Sequence, residues 1–196
     1  MKCSRCNANA QYQDPHSGEN ICLKHSRLQV RAQSRTNPAR SWITRPAGPP
    51  DRERIAELAH YFWGETEVEC FGHSYEVCDL PAFLACDGNE TVGLVSFATQ
   101  DDTLNLVMLN VLPGYQGQGA GRALVAAAEE TARARGLRRA IVATSNDDLP
   151  ALYFYQRCGY HLSGLKAGHL VIHHGGEETG FAGIPVRDEL QLQKSL

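Results

Sequence analysis

The spacing of apolar residues predicts a mixed α/β chain from residue 41 onward. Short apolar runs typical of strands occupy residues 42–45, 83–86, 91–98, 103–112 and 137–144. Amphipathic or Ala-rich patterns with start and stop residues predict helices over 51–63, up to Arg135, and over 149–157. Residues 64–81 are predicted to be irregular, whereas the period-two alternation over 189–193 predicts a final half-buried strand.

Composition then narrows the class of protein. The chain has 196 residues, of which 42% are hydrophobic and 21% are charged. These values are close to the averages for globular proteins, and they exclude a disordered chain or a coiled coil. No apolar run approaches the roughly 18–20 residues that span a bilayer, and the N-terminus lacks the apolar stretch of a secretion signal. We therefore expect a cytoplasmic protein with no membrane partner.

Charge is distributed unevenly along the chain. Residues 1–54 contain ten Lys or Arg against four Asp or Glu, whereas the remaining residues contain nine and eighteen. Residues 1–54 therefore form a basic arm. Its arginines recur every four or five residues, which suits contact with phosphates and predicts nucleic acid or a ribosome as a partner. The alternative is a solvated helix face, and the arm has no interleaved aromatic residues for base stacking.

Three cysteines and one histidine have the spacing of a structural zinc site. They follow the pattern Cys3-x2-Cys6-x15-Cys22-x2-His25, with a hairpin predicted between the two pairs. A two-residue gap lets both ligands of a pair reach one ion, and tetrahedral Zn²⁺ needs two such pairs. The alternatives are His16 as the fourth ligand, or surface cysteines with an incidental histidine. The segment resembles small zinc ribbons and treble-clef fingers.

A glycine-rich loop separates a predicted strand from the Ala-rich helix. It contains Gln116-x-x-Gly119-x-Gly121, and glycines at such a junction let backbone N–H groups converge on an anion beside the positive end of the helix. The pattern departs from a dinucleotide-binding loop. It also departs from the phosphate loop of NTPases, because Arg122-Ala123 stands where Lys-Ser/Thr is required.

The glycine loop and a second segment about 30 residues downstream carry a family resemblance. The loop resembles motif A, and residues 146–160 resemble motif B, of the GNAT superfamily of acyl-CoA N-acyltransferases. The resemblance implies an α/β fold, with a mixed central sheet that is splayed at the acyl-CoA site and flanked by helices. The domain division expected is a zinc-binding finger, a linker and an acetyltransferase domain, over residues 1–33, 34–40 and 41–196. Residues 62–69 and 183–189 also resemble a bacterial group of the family.

The resemblance implies a role for each matching residue. Tyr155 would protonate the departing thiolate, with a packed core aromatic as the alternative, whereas Tyr153 is expected to pack in the core. Asn146 would bind the pantetheine or acetyl region, and Gln116 belongs to the motif. The pyrophosphate would be held by the amides of Gln118, Gly119, Ala120, Gly121 and Arg122. The pantetheine arm would pair with the preceding strand at Leu109, Asn110 and Val111.

The catalytic base is left open by the sequence. Many relatives carry an acid on the strand before the loop, where this chain has Leu109-Asn110-Val111. Four residues of the segment 64–81 are candidates that would act through water, namely Glu65, Glu67, Glu69 and His73. Cys70, Cys78 and Cys86 lack the spacing of metal-ligand pairs and are expected to be free thiols.

The leading hypothesis is an N-acetyltransferase that moves the acetyl group of acetyl-CoA directly to a primary amine, in a ternary complex. The acceptor is either a small molecule or an amine carried by protein or RNA and presented by the basic arm. The alternative function is a nucleic-acid- or ribosome-binding adaptor whose body senses acyl-CoA. A finger that stabilises a homodimer is a third possibility.

Overall fold

The computed structural model describes residues 12–13, 20–21, 42–173, 176 and 178–196. The chain divides into two units, of which one comprises residues 42–116 and 120–196 and the other residues 1–41 and 117–119. In the second unit, β1 (Tyr12–Gln13) pairs antiparallel with β2 (Asn20–Ile21), as the predicted hairpin requires. The predicted zinc ligands lie outside the described residues: Cys3, Cys6, Cys22 and His25. Within the described ranges, no group of three or more His, Cys, Asp or Glu side chains could hold a metal ion.

Seven strands of the first unit form one sheet. They are β3 (Ile43–Pro46), β6 (Ala82–Asp87), β7 (Glu90–Gln100), β8 (Thr103–Val111), β9 (Arg139–Ser145), β10 (His161–Lys166) and β13 (Glu189–Ser195). Their order in the sheet is β10-β13-β9-β8-β7-β6-β3, and neighbours are antiparallel except β8 and β9, which run parallel. Smaller two-stranded pairs are β4 (Glu67–Cys70) with β5 (His73–Glu76), and β11 (Glu178–Thr179) with β12 (Pro185–Val186).

Helices pack on both faces of this sheet. They are α1 (Arg52–Trp63), α2 (Ala120–Ala134), α3 (Leu149–Arg157) and the short α4 (His169–His173). One hydrophobic cluster contains buried residues of α2 and α3, and a second contains those of α1 and β4. Consecutive residues of β7 join different clusters, since Val95 belongs to the first and Leu94 to the second. Because alternate strand residues point to opposite faces, the two clusters lie on opposite faces of the sheet.

The sheet opens between β8 and β9. Their parallel pairing covers only residues 103–106 and 139–142, although β8 continues to Val111 and β9 to Ser145. At the point where pairing stops, Val107 is an extra residue of β8 relative to β7, because Ser96 pairs with Met108 and Phe97 with Leu106. Such a β-bulge bends a strand and increases its twist. The bulge therefore turns the end of β8 away from β9, as the splayed sheet of the resemblance requires.

The structure departs from the sequence-based expectations at residues 64–81. This segment contains the β4–β5 hairpin, in which Val68 and Cys70 are buried and Glu67 and Glu69 are exposed. The alternation was visible in the sequence, but it covers only four residues between polar neighbours.

No helix in the described part of the chain is long and apolar enough to cross a bilayer.

Candidate active site

The glycine loop begins beside the end of β8. The side-chain Nε2 of Gln116 donates to the carbonyl oxygen of Val111 over 2.9 Å, which ties the start of the loop to the strand. Gly119 has φ +97°, a backbone conformation that a side chain would strain, and α2 starts at the next residue, Ala120. The first backbone N–H groups of a helix have no partner within the helix. The loop therefore leads into a helix start whose amides suit an anion.

Motif A and motif B meet where α2 passes α3. A Cβ atom at Gly121 would lie 3.3 Å from the ring of Phe154 and 3.7 Å from the side chain of Val111. The guanidinium of Arg122 donates to the carbonyl oxygen of Arg157, at the end of α3, over 3.2 Å. A side chain at residue 121 would therefore require the ring of Phe154 to shift.

Tyr155 lies in the core of the α2 side. It is 6% exposed, and its ring makes edge contacts with Phe154 and Tyr160 at centroid distances of 5.2 and 5.7 Å. Burial, and then the charge of Asp148, raise the pKa of the Tyr155 hydroxyl above its usual value. A tyrosine hydroxyl is protonated at neutral pH without such a shift, and the raised pKa makes this one a weaker acid. The expectation for Tyr153 was wrong, since this side chain is 51% exposed.

The side chain of Asn146 makes hydrogen bonds that the sequence did not predict. Its Oδ1 accepts hydrogen bonds from the backbone N–H groups of Arg187 and Asp188, at 2.8 and 2.9 Å. Its Nδ2 donates to the carbonyl oxygen of Pro185 over 2.9 Å. The side chain thus fixes the segment before β13 to the end of β9. Its predicted contact with pantetheine stays a prediction.

The two residues after Asn146 fix two more elements. A carboxylate oxygen of Asp147 accepts from the backbone N–H of Phe181 at 2.9 Å. Asp148 caps α3, because its Oδ1 accepts from the backbone N–H of Ala151 at 2.9 Å. The end of β9 is therefore the point where α3 and the segment 178–188 are held together.

The three predicted residues of β8 divide between the two faces of the sheet. Leu109 and Val111 pack against the cluster of α2 and α3. Asn110 lies between them and points to the opposite face, where its Oδ1 accepts a 2.9 Å hydrogen bond from the indole Nε1 of Trp63. Trp63 is the last residue of α1, so this bond joins α1 to the end of β8, which pairs with β7 but not with β9.

Glu69 is the candidate base that is connected to the rest of the site. Its carboxylate lies 3.7 Å from Nε2 of His169, which lies 3.8 Å from the carboxylate of Glu189. Glu189 is 4% exposed, pairs with Ser145 in the sheet register, and has Lys166 Nζ at 3.4 Å. This Glu69–His169–Glu189 chain links β4 to β13 beside the end of β9.

The other candidate bases have different surroundings. Glu67 accepts a hydrogen bond from Ser74 within the β4–β5 hairpin. His73 is exposed and packs near Tyr75, and Glu65 is exposed. Sequence reasoning missed His169 and Glu189. The one available signal was a charged residue in the alternating strand 189–193.

Comparison with known proteins decides the family. Residues 45–160 match the Acetyltransferase (GNAT) family. The chain belongs to this family. It is 32% identical over 150 residues to the uncharacterized protein YxbD of Bacillus subtilis, covering 74% of this chain and 93% of that protein. The GNAT resemblance of the two motifs is thereby confirmed, and the protein is an acetyltransferase by family.

Two further relatives have named substrates. The aminoglycoside N(6')-acetyltransferase type 1 of Stenotrophomonas maltophilia is 31% identical, covering 59% of this chain and 84% of that protein. The streptothricin acetyltransferase of Streptomyces lavendulae is 34% identical over a shorter stretch, 37% of this chain and 39% of that protein.

Solved structures share the fold. A Bacillus subtilis acetyltransferase in complex with CoA superposes with a TM-score of 0.60 at 19% identity, covering 80% of this chain and 99% of that one. A GNAT family acetyltransferase from Elizabethkingia anophelis with acetyl-CoA bound gives 0.59 at 19% identity, covering 79% and 98%. The α/β fold with a mixed central sheet and flanking helices is therefore the GNAT fold.

Proposed function

We propose that this protein transfers the acetyl group of acetyl-CoA directly to a primary amine within a ternary complex. The observation that carries the proposal is the opening between β8 and β9, which starts at the Val107 bulge and ends beside the glycine loop. A thioester lying in this opening would be reachable from both faces of the sheet. Solved structures of the same fold with CoA or acetyl-CoA bound support a coenzyme site in this fold.

The coenzyme would be held mainly by backbone groups. In the proposal, the amides of Gln118, Gly119, Ala120, Gly121 and Arg122 bind the pyrophosphate. The backbone of residues 109–111 pairs with the pantetheine arm, since this end of β8 has no partner on the β9 side. Backbone amides at a helix start suit phosphate because they combine free donors with the positive end of the helix dipole.

The chemistry requires the amine to lose protons and the sulfur to gain one. A charged amine first loses a proton to become a nucleophile; its nitrogen then forms a bond to the acetyl carbon and loses a second proton, while the carbon–sulfur bond breaks and the sulfur gains a proton. We assign the proton that the sulfur gains to the hydroxyl of Tyr155, because a tyrosine hydroxyl is protonated at neutral pH. The protons that the amine loses pass through water to Glu69, whose carboxylate lies 3.7 Å from Nε2 of His169.

A base matters because most amines are charged at neutral pH. An amine with a pKa near 10.4 is neutral in only about one molecule in a thousand at pH 7.4. We propose a cationic small-molecule amine as the acceptor. The acidic balance of residues 55–196 supports this, with eighteen Asp or Glu against nine Lys or Arg. The relatives named for streptothricin and aminoglycosides support it as well.

An acetyl-CoA consumption screen tests the proposal. Free thiol is measured over time with streptothricin, aminoglycosides, polyamines, peptides and tRNA as acceptors, and product masses identify the acetylated species. We expect turnover with at least one cationic small amine and a mass gain of about 42 Da per acetyl group. Absence of acetyl-CoA binding by titration calorimetry at high micromolar concentration would falsify the proposal.

We also propose that Cys3, Cys6, Cys22 and His25 bind one structural zinc ion, within a finger over residues 1–33. The support is their ligand spacing, since zinc binding supplies the folding energy of segments too small to form a core. Metal analysis of the purified protein should find about one zinc per chain. A Cys22→Ser variant should lose the metal, whereas Cys86→Ser should keep it. A metal-free wild-type protein would rule the finger out.

The basic arm is proposed to contact nucleic acid through its arginines. Such binding weakens steeply with salt, because each phosphate contact releases counterions. An RNA mobility-shift assay with the full chain at two salt concentrations tests this, with an Arg31→Glu/Arg35→Glu variant as comparison. Equal migration of RNA with both proteins would remove the arm as a nucleic-acid contact and, with it, the adaptor alternative.

A further inference from the structure

Trp63 combines an exposed ring with a fixed position. The side chain is 47% exposed, which is unusual for a tryptophan, yet its indole Nε1 donates a 2.9 Å hydrogen bond to Oδ1 of Asn110. The bond holds the ring at the end of α1, where Gly64 ends the helix. An aromatic ring that is both exposed and oriented presents a flat surface to solvent.

Asn110 places this ring at the opening of the sheet. It lies three residues beyond the Val107 bulge, in the part of β8 that has no pairing with β9. Its neighbours Leu109 and Val111 pack toward α2 and α3, so the Asn110 side chain lies on the α1 face. Its Oδ1 accepts the hydrogen bond from the indole of Trp63.

Charge on this face suits a cation. Glu65 follows Trp63 by two residues and is exposed. The exposed carboxylate of Glu69, on β4, lies 3.7 Å from His169, and the buried carboxylate of Glu189 beyond it has Lys166 Nζ as its counter-charge at 3.4 Å. A cation over an indole face is attracted by the ring quadrupole, and nearby carboxylates add to the attraction.

We propose that Trp63 and Asn110 recognise the acceptor, with the Trp63 ring binding a cationic group of the amine substrate and Asn110 fixing the ring by its hydrogen bond. This inference rests on the proposed acetyl transfer and assigns its acceptor side to a ring and an amide. Trp63 acts as a specificity-determining residue and Asn110 as a positioning residue. The alternative is that the hydrogen bond only braces α1 against β8.

A binding experiment tests the inference without depending on turnover. The chain has two tryptophans, so a Trp42→Phe variant leaves Trp63 as the single indole fluorophore. With CoA present and ionic strength held constant, this variant is titrated with choline and with dimethylbutanol, the uncharged isostere of choline. We expect saturable quenching by choline and at least about 3-fold weaker binding of the isostere. Equal quenching by both compounds, or none that saturates, overturns the inference.

Kinetics separate recognition from bracing. With an amine that the screen shows to be acetylated, Trp63→Leu should raise the KM for the amine about 3- to 30-fold and change the KM for acetyl-CoA less than about 2-fold. Trp63→Phe keeps an aromatic ring without the N–H, so its KM for the amine should lie between those of the wild type and Trp63→Leu. A lower melting temperature with unchanged amine KM supports bracing and overturns recognition. Loss of acetyl-CoA binding in the wild type would instead count against the proposed function.

Discussion

The proposed coenzyme side and the proposed acceptor side of this protein are built in different ways. On the coenzyme side, the glycine loop, α2 and α3 are joined by close packing, as where Gly121 meets Phe154, and by hydrogen bonds to backbone carbonyls. On the acceptor side, side chains from distant segments meet, as in the Trp63–Asn110 bond and the Glu69–His169–Glu189 chain. The proposed coenzyme side suits a ligand that is the same in every reaction. On the proposed acceptor side, single substitutions can change the chemistry while the sheet stays intact.

Gly121 is the position where the coenzyme side should fail most completely. A Gly121→Val variant must place a branched side chain where a Cβ already lies 3.3 Å from Phe154. Overpacking of this kind costs about 1–3 kcal/mol and displaces α2 from α3. We expect the affinity for acetyl-CoA to fall about 10²-fold by titration calorimetry. Gly114→Ala is the control, because a Cβ at that position meets no atom within 4 Å. Unchanged affinity in both variants would show that this packing does not shape the coenzyme site.

A Tyr155→Phe variant tests the proposed proton transfer to the sulfur. Removal of a general acid often costs 10²–10⁴-fold in rate, and less where the leaving group is a thiolate. Tyr155→Phe should therefore lower kcat by about 10- to 100-fold with little change in the KM for acetyl-CoA. Tyr153→Phe, at a 51% exposed position on the same helix, should leave both constants unchanged. Equal kcat values for the two variants would leave Tyr155 as a core aromatic only.

Asn146 distinguishes a clamp on the segment 185–188 from a ligand contact. Asn146→Ala removes three hydrogen bonds and leaves the backbone N–H groups of Arg187 and Asp188 without their acceptor. We expect the free energy of unfolding to fall by about 2 kcal/mol in urea titrations, with faster amide exchange over 185–188. Asn89→Ala, in an exposed turn, provides the control. A normal stability together with a raised KM for acetyl-CoA would assign Asn146 to the coenzyme instead.

Asp51 tests the anchoring of α1, on the acceptor side. Hydrogen bonds from Arg45, and next from the backbone N–H of Gly48, lower the pKa of the Asp51 carboxyl to about 2. A lowered folded-state pKa stabilises the protein above the unfolded value, near pH 4, and the contribution is lost as the pH falls toward 2. Asp51→Asn should reduce the free energy of unfolding by about 0.5–1 kcal/mol at pH 7, and the difference from wild type should shrink as the pH falls through about 2. Asp79→Asn, which removes an exposed ion pair with Arg52, should reduce the free energy of unfolding less at pH 7. A difference that stays the same at pH 7 and below pH 2 would contradict this origin.

The order of strands and helices could be predicted because apolar periodicity is local. The predicted helices over 51–63 and 149–157 match α1 and α3 within one residue at each end. The β4–β5 hairpin was not predicted, since its buried residues Val68 and Cys70 pack in one cluster with Val107 and Met108 of β8, which lies much further along the chain. The burial of Tyr155 and the exposure of Tyr153 were likewise beyond prediction, because both lie on one helix and only the neighbouring α2 and sheet select the buried face.

The sequence by itself determined the family and the motifs proposed to hold the coenzyme, because residue types at fixed spacing along the chain identify them. The proposed acceptor side depends on the tertiary structure. The bulge at Val107 opens the sheet, and only the folded chain brings Trp63 to Asn110 and Glu69 to His169 and Glu189. Hydrogen bonds and ion pairs between such segments depend on distances that exist only once the sheet has assembled, so spacing along the chain could not reveal them.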